Sequence, residues 1–256
     1  MKMIDLNCDM GEGFGVYSLG DDAAMLDIVT SANIACGFHA GDPLVMAQTL
    51  ALAKARGVGC GAHPSFMDLW GFGRRPIHGQ SPADIEKQLI YQIGALQALA
   101  HAQGLRLGHV KTHGSLGNMA NEDIDLARAV ARAIKVVDPG LIFVVMPGLP
   151  TERAGEEAGL KVAREIYADR AYAANGNLAS RKLPGAVLHD AEAAAARILD
   201  ILDSGAVASL EGPRIPVRAD TICVHGDTAD AVAMARAVRT RLTAAGYVLQ
   251  PMANWL

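Results

Sequence analysis

The chain has 256 residues, with 23 Lys and Arg against 27 Asp and Glu and a formal net charge of −4. Its longest basic runs are pairs such as Arg74-Arg75 and Arg181-Lys182, which excludes the clustered cations of a nucleic-acid groove. At 51% hydrophobic and 20% charged it can bury a large core, yet no stretch nears the ~20 apolar residues of a membrane span.

Taken in chain order, short apolar runs alternate with longer segments of helical period, the pattern of parallel α/β folds. The first strand is expected at 3–8, directly after Met1-Lys2. No apolar signal segment precedes it, so a cytoplasmic location is expected. A helix at 21–29 opens on Asp21-Asp22, a strand follows at 31–36, and Pro43 after Asp42 starts a helix at 43–56. The next strand, 58–62, leads into a connection from Pro64 to Gln80 with no hydrophobic period, long enough for a lid or binding loop. Pro82 after Ser81 opens a helix at 82–103, and strands at 107–111, 141–146, 161–166 and 220–225 alternate with helices at 122–137, 151–158, 189–203 and 228–245. Gly246 is placed to stop the last of these. The run 185–188 stays open between strand and loop. Seven β/α units without a linker predict a single α/β domain over 1–256, a TIM-like (β/α)7 barrel whose odd strand count implies irregular closure. Cys8, Cys36, Cys60 and Cys223 are scattered singly and read as small buried hydrophobes.

The residues after each strand are rich in Asp, Glu, His, Asn and Gly. They run Asn7-Cys8-Asp9-Met10-Gly11-Glu12, Cys36-Gly37-Phe38-His39-Ala40-Gly41-Asp42, Gly61-Ala62-His63-Pro64-Ser65, Lys111-Thr112-His113-Gly114-Ser115, Glu165-Ile166-Tyr167-Ala168-Asp169-Arg170 and His225-Gly226-Asp227. In a β/α barrel these ends share one face, so six motifs are expected to meet in one pocket. Asp9, Glu12 and Asp42 with His39, His63, His113 and His225 suit general acid/base catalysis, and equally a metal site for zinc, manganese or iron; spacing does not choose. The metal candidates are Asp9, His39, His63 and His113. Asp42 and Asp227 also read as helix caps. Lys111, ending a buried strand, is expected to face a carboxylate or an anionic substrate, with His109 pointing the same way. Arg74 and Arg75, beside Gly71 and Gly73, could grip a phosphate or carboxylate, or form a solvated surface pair. There is no G-x-x-x-x-G-K-[ST] or G-x-S-x-G, and Gly11-Glu12-Gly13-Phe14-Gly15 misses the dinucleotide spacing.

These stretches, from Asp5-Leu6-Asn7-Cys8-Asp9 through Ser31-Ala32-Asn33-Ile34-Ala35 and Gly71-Phe72-Gly73-Arg74-Arg75 to Val224-His225-Gly226-Asp227, resemble the LamB/YcsF family over nearly the whole chain. The resemblance implies a seven-stranded barrel of the glycoside hydrolase/deacetylase type and the A-subunit role in an ATP-dependent 5-oxoprolinase. That enzyme cleaves 5-oxo-L-proline to L-glutamate as ATP becomes ADP and phosphate, with B and C subunits. ATP with Mg is then the co-substrate, a protein-bound divalent metal is a further expectation, and a homo-oligomer remains open. Asp9, Glu12, His39, His63, Lys111 and His113 are the expected catalytic set. Asn7, Asn33, Asp42, Arg74, Arg75, Glu165, Arg170, His225 and Asp227 are expected to bind substrate or phosphate, and the family pattern extends to Asp169 and Arg181. The sequence departs from that pattern at Thr112, Ser115 and Gly117, where proline, alanine and tyrosine are expected; losing the ring opens one pocket wall. Two rival readings are a metal-dependent amide or carbohydrate deacetylase and a non-catalytic substrate-binding subunit.

Overall fold

Along β1 (Lys2–Met10) the residues alternate between two fates: Ile4, Leu6, Cys8 and Met10 enter the hydrophobic core, while Asp5, Asn7 and Asp9 make polar contacts across the sheet interior. The architecture follows from this period of two. In the computed structural model, which describes residues 2–226 and 230–256, the chain continues through α1 (Asp22–Leu26), β2 (Ser31–Ala35), α2 (Pro43–Arg56), β3 (Gly59–His63), α3 (Pro82–Ala102), β4 (His109–Lys111), α4 (Gly114–Ala120), α5 (Ile124–Val137), β5 (Ile142–Val145), α6 (Pro150–Glu157) and β6 (Val162–Tyr167). After α7 (Ala191–Ser204) come an antiparallel hairpin, β7 (Ala206–Ala208) and β8 (Arg214–Pro216), then β9 (Thr221–Cys223), α8 (Ala231–Ala244) and β10 (Tyr247–Leu249).

Strands β1 to β6 pair in sequence order, all parallel, and β9 joins β6 to β1. The sheet therefore closes with seven strands, as the sequence predicts. The length of β1 makes this closure work: residues 7–10 pair with β2, 5–7 with β9, and 2–4 with β10. The irregularity expected of an odd count is this extra parallel strand on the overhang of β1.

All seven predicted barrel strands are present, with boundaries moved by a residue or two. Residues 185–188 form a loop with one bridge, Val187 to Arg170. Helix α4, the hairpin and β10 are not expected from sequence. The N-cap of α4 is His113, which makes no side-chain capping bond, so no Ser or Asp announces the helix. Asp227 and the first predicted residues of the last helix lie outside the described residues.

The barrel's amino end is plugged by the carboxyl terminus. Met252, in a 3-10 turn (Met252–Asn254), is fully buried against Ile142, Val144 and Ala163, a small apolar cluster of its own. Glycine at 59 and 108 makes this possible, since a Cβ there would stand 3.0 Å from Pro251 and 2.9 Å from Ala253. No helix among the described residues is long and apolar enough to cross a membrane.

Candidate active site

A column of hydrogen-bonded polar groups rises through the barrel. At its base Asp5 accepts from Ser31 Oγ (2.6 Å), Thr30 Oγ1 (2.7 Å) and Thr221 Oγ1. Above it Asn7 Nδ2 donates to Thr221 Oγ1 (2.7 Å) and Glu165 Oε1 (2.9 Å), and its Oδ1 accepts from Asn33 Nδ2 at 2.7 Å. The His109 ring bonds Asn33 Oδ1 at 2.8 Å and fills the space beside Gly61, where a Cβ would overlap it. Burial, with Lys111 nearby, pushes the His109 pKa down to about 3, so the ring is neutral and donates from Nε2.

At the carboxyl rim Lys111 Nζ donates to Asp9 Oδ1 (2.9 Å) and Cys223 Sγ (2.9 Å) and lies 3.2 Å from Glu165 Oε1. Burial alone would strip its proton, but the carboxylates of Asp9 and Glu165 outweigh that and hold the ammonium charged. Burial likewise works against an ionised Asp9. His63 and Lys111 reverse it and keep the carboxyl well below its usual range. Asp9 also accepts from Asn33 Nδ2 at 2.8 Å. The expectation that Lys111 faces a carboxylate is met by two.

Three imidazoles and Glu12 gather beside this centre. His63 Nδ1 meets the Lys111 carbonyl at 2.7 Å and His113 Nε2 the Phe72 carbonyl at 2.9 Å. A carbonyl can only accept, so both ring atoms carry hydrogen. The opposite nitrogens, His63 Nε2 and His113 Nδ1, face one another at 3.0 Å. Glu12 Oε1 lies 3.5 Å from His113 Nδ1 and 3.4 Å from His39 Nε2, and Asp9 Oδ2 lies 3.2 Å from His63 Nε2. His39 stacks on His113 at 3.8 Å between ring centroids. Burial, then the neighbouring imidazoles, drives the pKa of both His39 and His113 well down.

The Gly71-Phe72-Gly73 turn closes over this cluster. Phe72 adopts φ +54°, rare for a residue with a Cβ, and that conformation goes with the carbonyl contact to His113. Gly73, at φ +63°, passes so close that a Cβ would stand 2.8 Å from both His39 Cβ and His113 Cδ2. The loop thus covers the histidines, and its arginines part company. Arg75 pairs with Asp68 and points to solvent, whereas Arg74 lies against the Phe72 ring and lines the cavity.

On the other flank His225 Nδ1 bonds Asp169 at 2.8 Å, which leaves its Nε2 turned toward Asp9 Oδ2, 4.0 Å away. Tyr167 stacks on His225. The cavity enclosed by these groups has a volume of about 520 Å³ and is lined by Asp9, His63, Lys111, His113, Glu165 and His225, with Arg170 and Arg181 from the loop after β6.

Most predicted site residues therefore converge. Asn7 and Asn33 lie beneath the cavity and hold Asp9 and Glu165 in place. Asp42 does not reach the cavity: it caps α2, accepting from Leu44 N (2.8 Å) and Val45 N (3.0 Å), and it accepts from Gly15 N. Arg170 lines the wall while its guanidinium donates to the Ala179 carbonyl at 2.6 Å, tying down its own loop. Thr112, Ser115 and Gly117 sit together on one wall, and a Cβ at Gly117 would meet Thr112 Oγ1 at 2.9 Å. Two contributors are missing from the set expected from sequence. Cys223, there a plain hydrophobe, touches Lys111, and Tyr167 forms the floor beside His225. The signal for both is the period of two, which puts Tyr167 on the face of Glu165 and Cys223 on that of Thr221.

Fold and site together are those of a β/α-barrel enzyme with ionised carboxylates, a buried ammonium and imidazoles at its carboxyl rim. The chain belongs to the LamB/YcsF family, whose pattern matches residues 4–256. A Rhodopseudomonas palustris protein named as the A subunit of 5-oxoprolinase is 58% identical over 251 residues, 98% of this chain and 99% of that protein. The crystal structure of a lactam utilization protein from Thermus thermophilus superposes with a TM-score of 0.90 at 46% identity, covering 98% of this chain and 99% of that one. The catalytic domain of a peptidoglycan N-acetylglucosamine deacetylase from Eubacterium rectale reaches a TM-score of 0.51 at 13% identity, over 98% of this chain and 88% of that one, a likeness of fold alone.

Proposed function

We propose that this chain is the lactam-cleaving subunit of an ATP-dependent 5-oxoprolinase. It opens 5-oxo-L-proline to L-glutamate while ATP is hydrolysed to ADP and phosphate, in the cytoplasm and together with B and C subunits. The observation that carries the reading is full-length likeness, 58% identical, to a protein named as that component, in a chain whose cavity ends on Asp9, Lys111 and His63.

The chemistry explains the need for ATP. A five-membered lactam is an unactivated amide whose ring closure is favoured by entropy, and its nitrogen leaves poorly. Transfer of the terminal phosphoryl group of ATP, with its Mg, to the amide oxygen releases ADP and makes the carbonyl carbon electrophilic. Water then adds to that carbon, the C–N bond breaks as nitrogen takes a proton, and the glutamyl phosphate so formed is hydrolysed by a second water to glutamate and phosphate. In this centre Lys111, Arg74 and Arg181 supply positive charge for the phosphoryl oxygens and the substrate carboxylate. Asp9, whose Oδ2 lies 3.2 Å from His63 Nε2, stands where a proton from water can be accepted. Asp169 fixes His225 as the Nδ1–H tautomer, so its Nε2 can relay a proton to the ring nitrogen. The B and C subunits are assigned a share of the nucleotide chemistry in this reading.

The test is release of ADP and glutamate from 5-oxoproline and ATP, first with this chain alone, then with the B and C subunits. Equal amounts of both products, appearing only in the complete mixture and abolished by Asp9→Asn or His63→Ala, are expected. Glutamate formation that proceeds without ATP would refute the reading.

A further inference from the structure

The histidine cluster holds more acceptors than hydrogens. With Nδ1–H of His63 and Nε2–H of His113 committed to backbone carbonyls, the nitrogens that face each other at 3.0 Å both present lone pairs in the neutral rings. Glu12 Oε1 borders the same space, 3.5 Å from His113 Nδ1 and 3.4 Å from His39 Nε2. A proton on His63 Nε2 could serve His113 or Asp9. It would still leave His39, 0% exposed, with neither ring nitrogen in a hydrogen bond among the described residues. Buried nitrogens in that state cost free energy unless something binds them.

We propose that His39, His63, His113 and Glu12 form a binding site for one divalent first-row transition-metal cation. One ligand atom from each of the four lies within 4.8 Å of the others. Three imidazoles with one carboxylate suit zinc, iron or manganese, while magnesium and calcium want an all-oxygen shell. The site is therefore separate from the magnesium that accompanies ATP. Its outer contacts are those of a metal centre, because ligating histidines commonly give their other N–H to a backbone carbonyl, here Lys111 and Phe72. The turn at Phe72 and Gly73, with its left-handed backbone, supplies one of those carbonyls and leaves room for the rings. In the other cluster of donors, Asp9, Cys223 and His225, the first two already hold the Lys111 ammonium, which repels a second cation. The proposed set differs in one member from the candidates read from sequence: it takes Glu12 in place of Asp9, whose Oδ1 is engaged by Lys111 and Asn33.

The experiment uses the full-length chain alone, stripped with chelator and titrated with Co²⁺, then competed with Zn²⁺ and with Mg²⁺. Expected are one Co²⁺ per chain, visible ligand-field bands of a low-coordinate site, displacement by Zn²⁺ and none by Mg²⁺. His39→Ala, His113→Ala and the near-isosteric Glu12→Gln should each weaken binding by more than the ~10–100-fold typical of an outer contact, with circular dichroism unchanged for Glu12→Gln. The exposed His101→Ala should bind as wild type does. Absence of stoichiometric binding, equal binding of Mg²⁺, or bands that survive both His113→Ala and Glu12→Gln would overturn the proposal. The readout needs no lactam, ATP or partner, so its failure is distinguishable from failure of the 5-oxoprolinase reading.

Discussion

Lys111 shows how much a single buried charge determines here. Its side chain is 4% exposed and its ammonium sits between Asp9 and Glu165, which are themselves buried. Removing one partner of such a set leaves carboxylates without compensation in a medium that solvates them poorly, a loss of about 3–5 kcal/mol. Lys111→Met is therefore expected to lower unfolding free energy by that order, read by urea denaturation, and to abolish turnover. Glu165→Gln placed on top should restore part of the loss, because it removes one of the stranded charges. A non-additive coupling of about 1–3 kcal/mol across the double-mutant cycle is the expected result. Strict additivity would mean that Lys111 does not neutralise Glu165. Cys223 belongs to the same set: burial raises its pKa well above normal, so it stays a thiol and accepts from Lys111 without adding charge.

At the level of elements, the loops after β2 and β3 contribute differently from what their composition suggests. Asp42 begins α2, so Asp42→Ala should cost about 1 kcal/mol in thermal or chemical denaturation and leave kcat and KM unchanged. A fall in activity without a fall in stability would return Asp42 to the site. Gly73→Ala should do the reverse: its Cβ would press on His39 and His113 at 2.8 Å from a left-handed backbone, so the turn must shift and turnover should fall at least tenfold. The contrast marks what is legible in the sequence. Strands are, because apolar Ile4, Leu6, Cys8 and Met10 alternate with polar Asp5, Asn7 and Asp9, and so is the common rim of His39, His63 and His113. Contacts made by backbone atoms are not. Nothing in the residue types reveals that the Phe72 carbonyl reaches a histidine 41 positions away, or that Arg75 turns back to Asp68 while Arg74 faces the cavity. Short elements are also hidden, since α4 lacks a capping side chain and β10 has three residues.

On the scale of the whole molecule the barrel has a catalytic end and a sealed end, and Asp5 reports on the seal. It accepts from three hydroxyls and from the backbone N–H of Met252, yet burial dominates and pushes its pKa up from 3.8 to about 6. The folded chain thus binds this proton more tightly than the unfolded chain does. Its stabilising contribution is complete below pH 3.8 and is lost as pH rises through about 6. The rise from 3.8 to about 6 corresponds to about 3 kcal/mol. The unfolding free energy of wild type minus that of Asp5→Asn should therefore decline by about that amount between pH 4 and pH 6 and stay level above. A carbon-13 titration of the Asp5 carboxyl should show the same midpoint. The cause is the plug at the amino end, where Met252 packs on Ile142, Val144 and Ala163. Deleting residues 250–256 takes away one hydrogen-bond donor, which alone would raise the pKa further, but it also admits water, which relieves the larger effect. The titration midpoint in the truncated chain should consequently move down toward 3.8, and a midpoint that stayed near 6 would show that the strands alone, without the carboxyl-terminal turn, keep Asp5 dry.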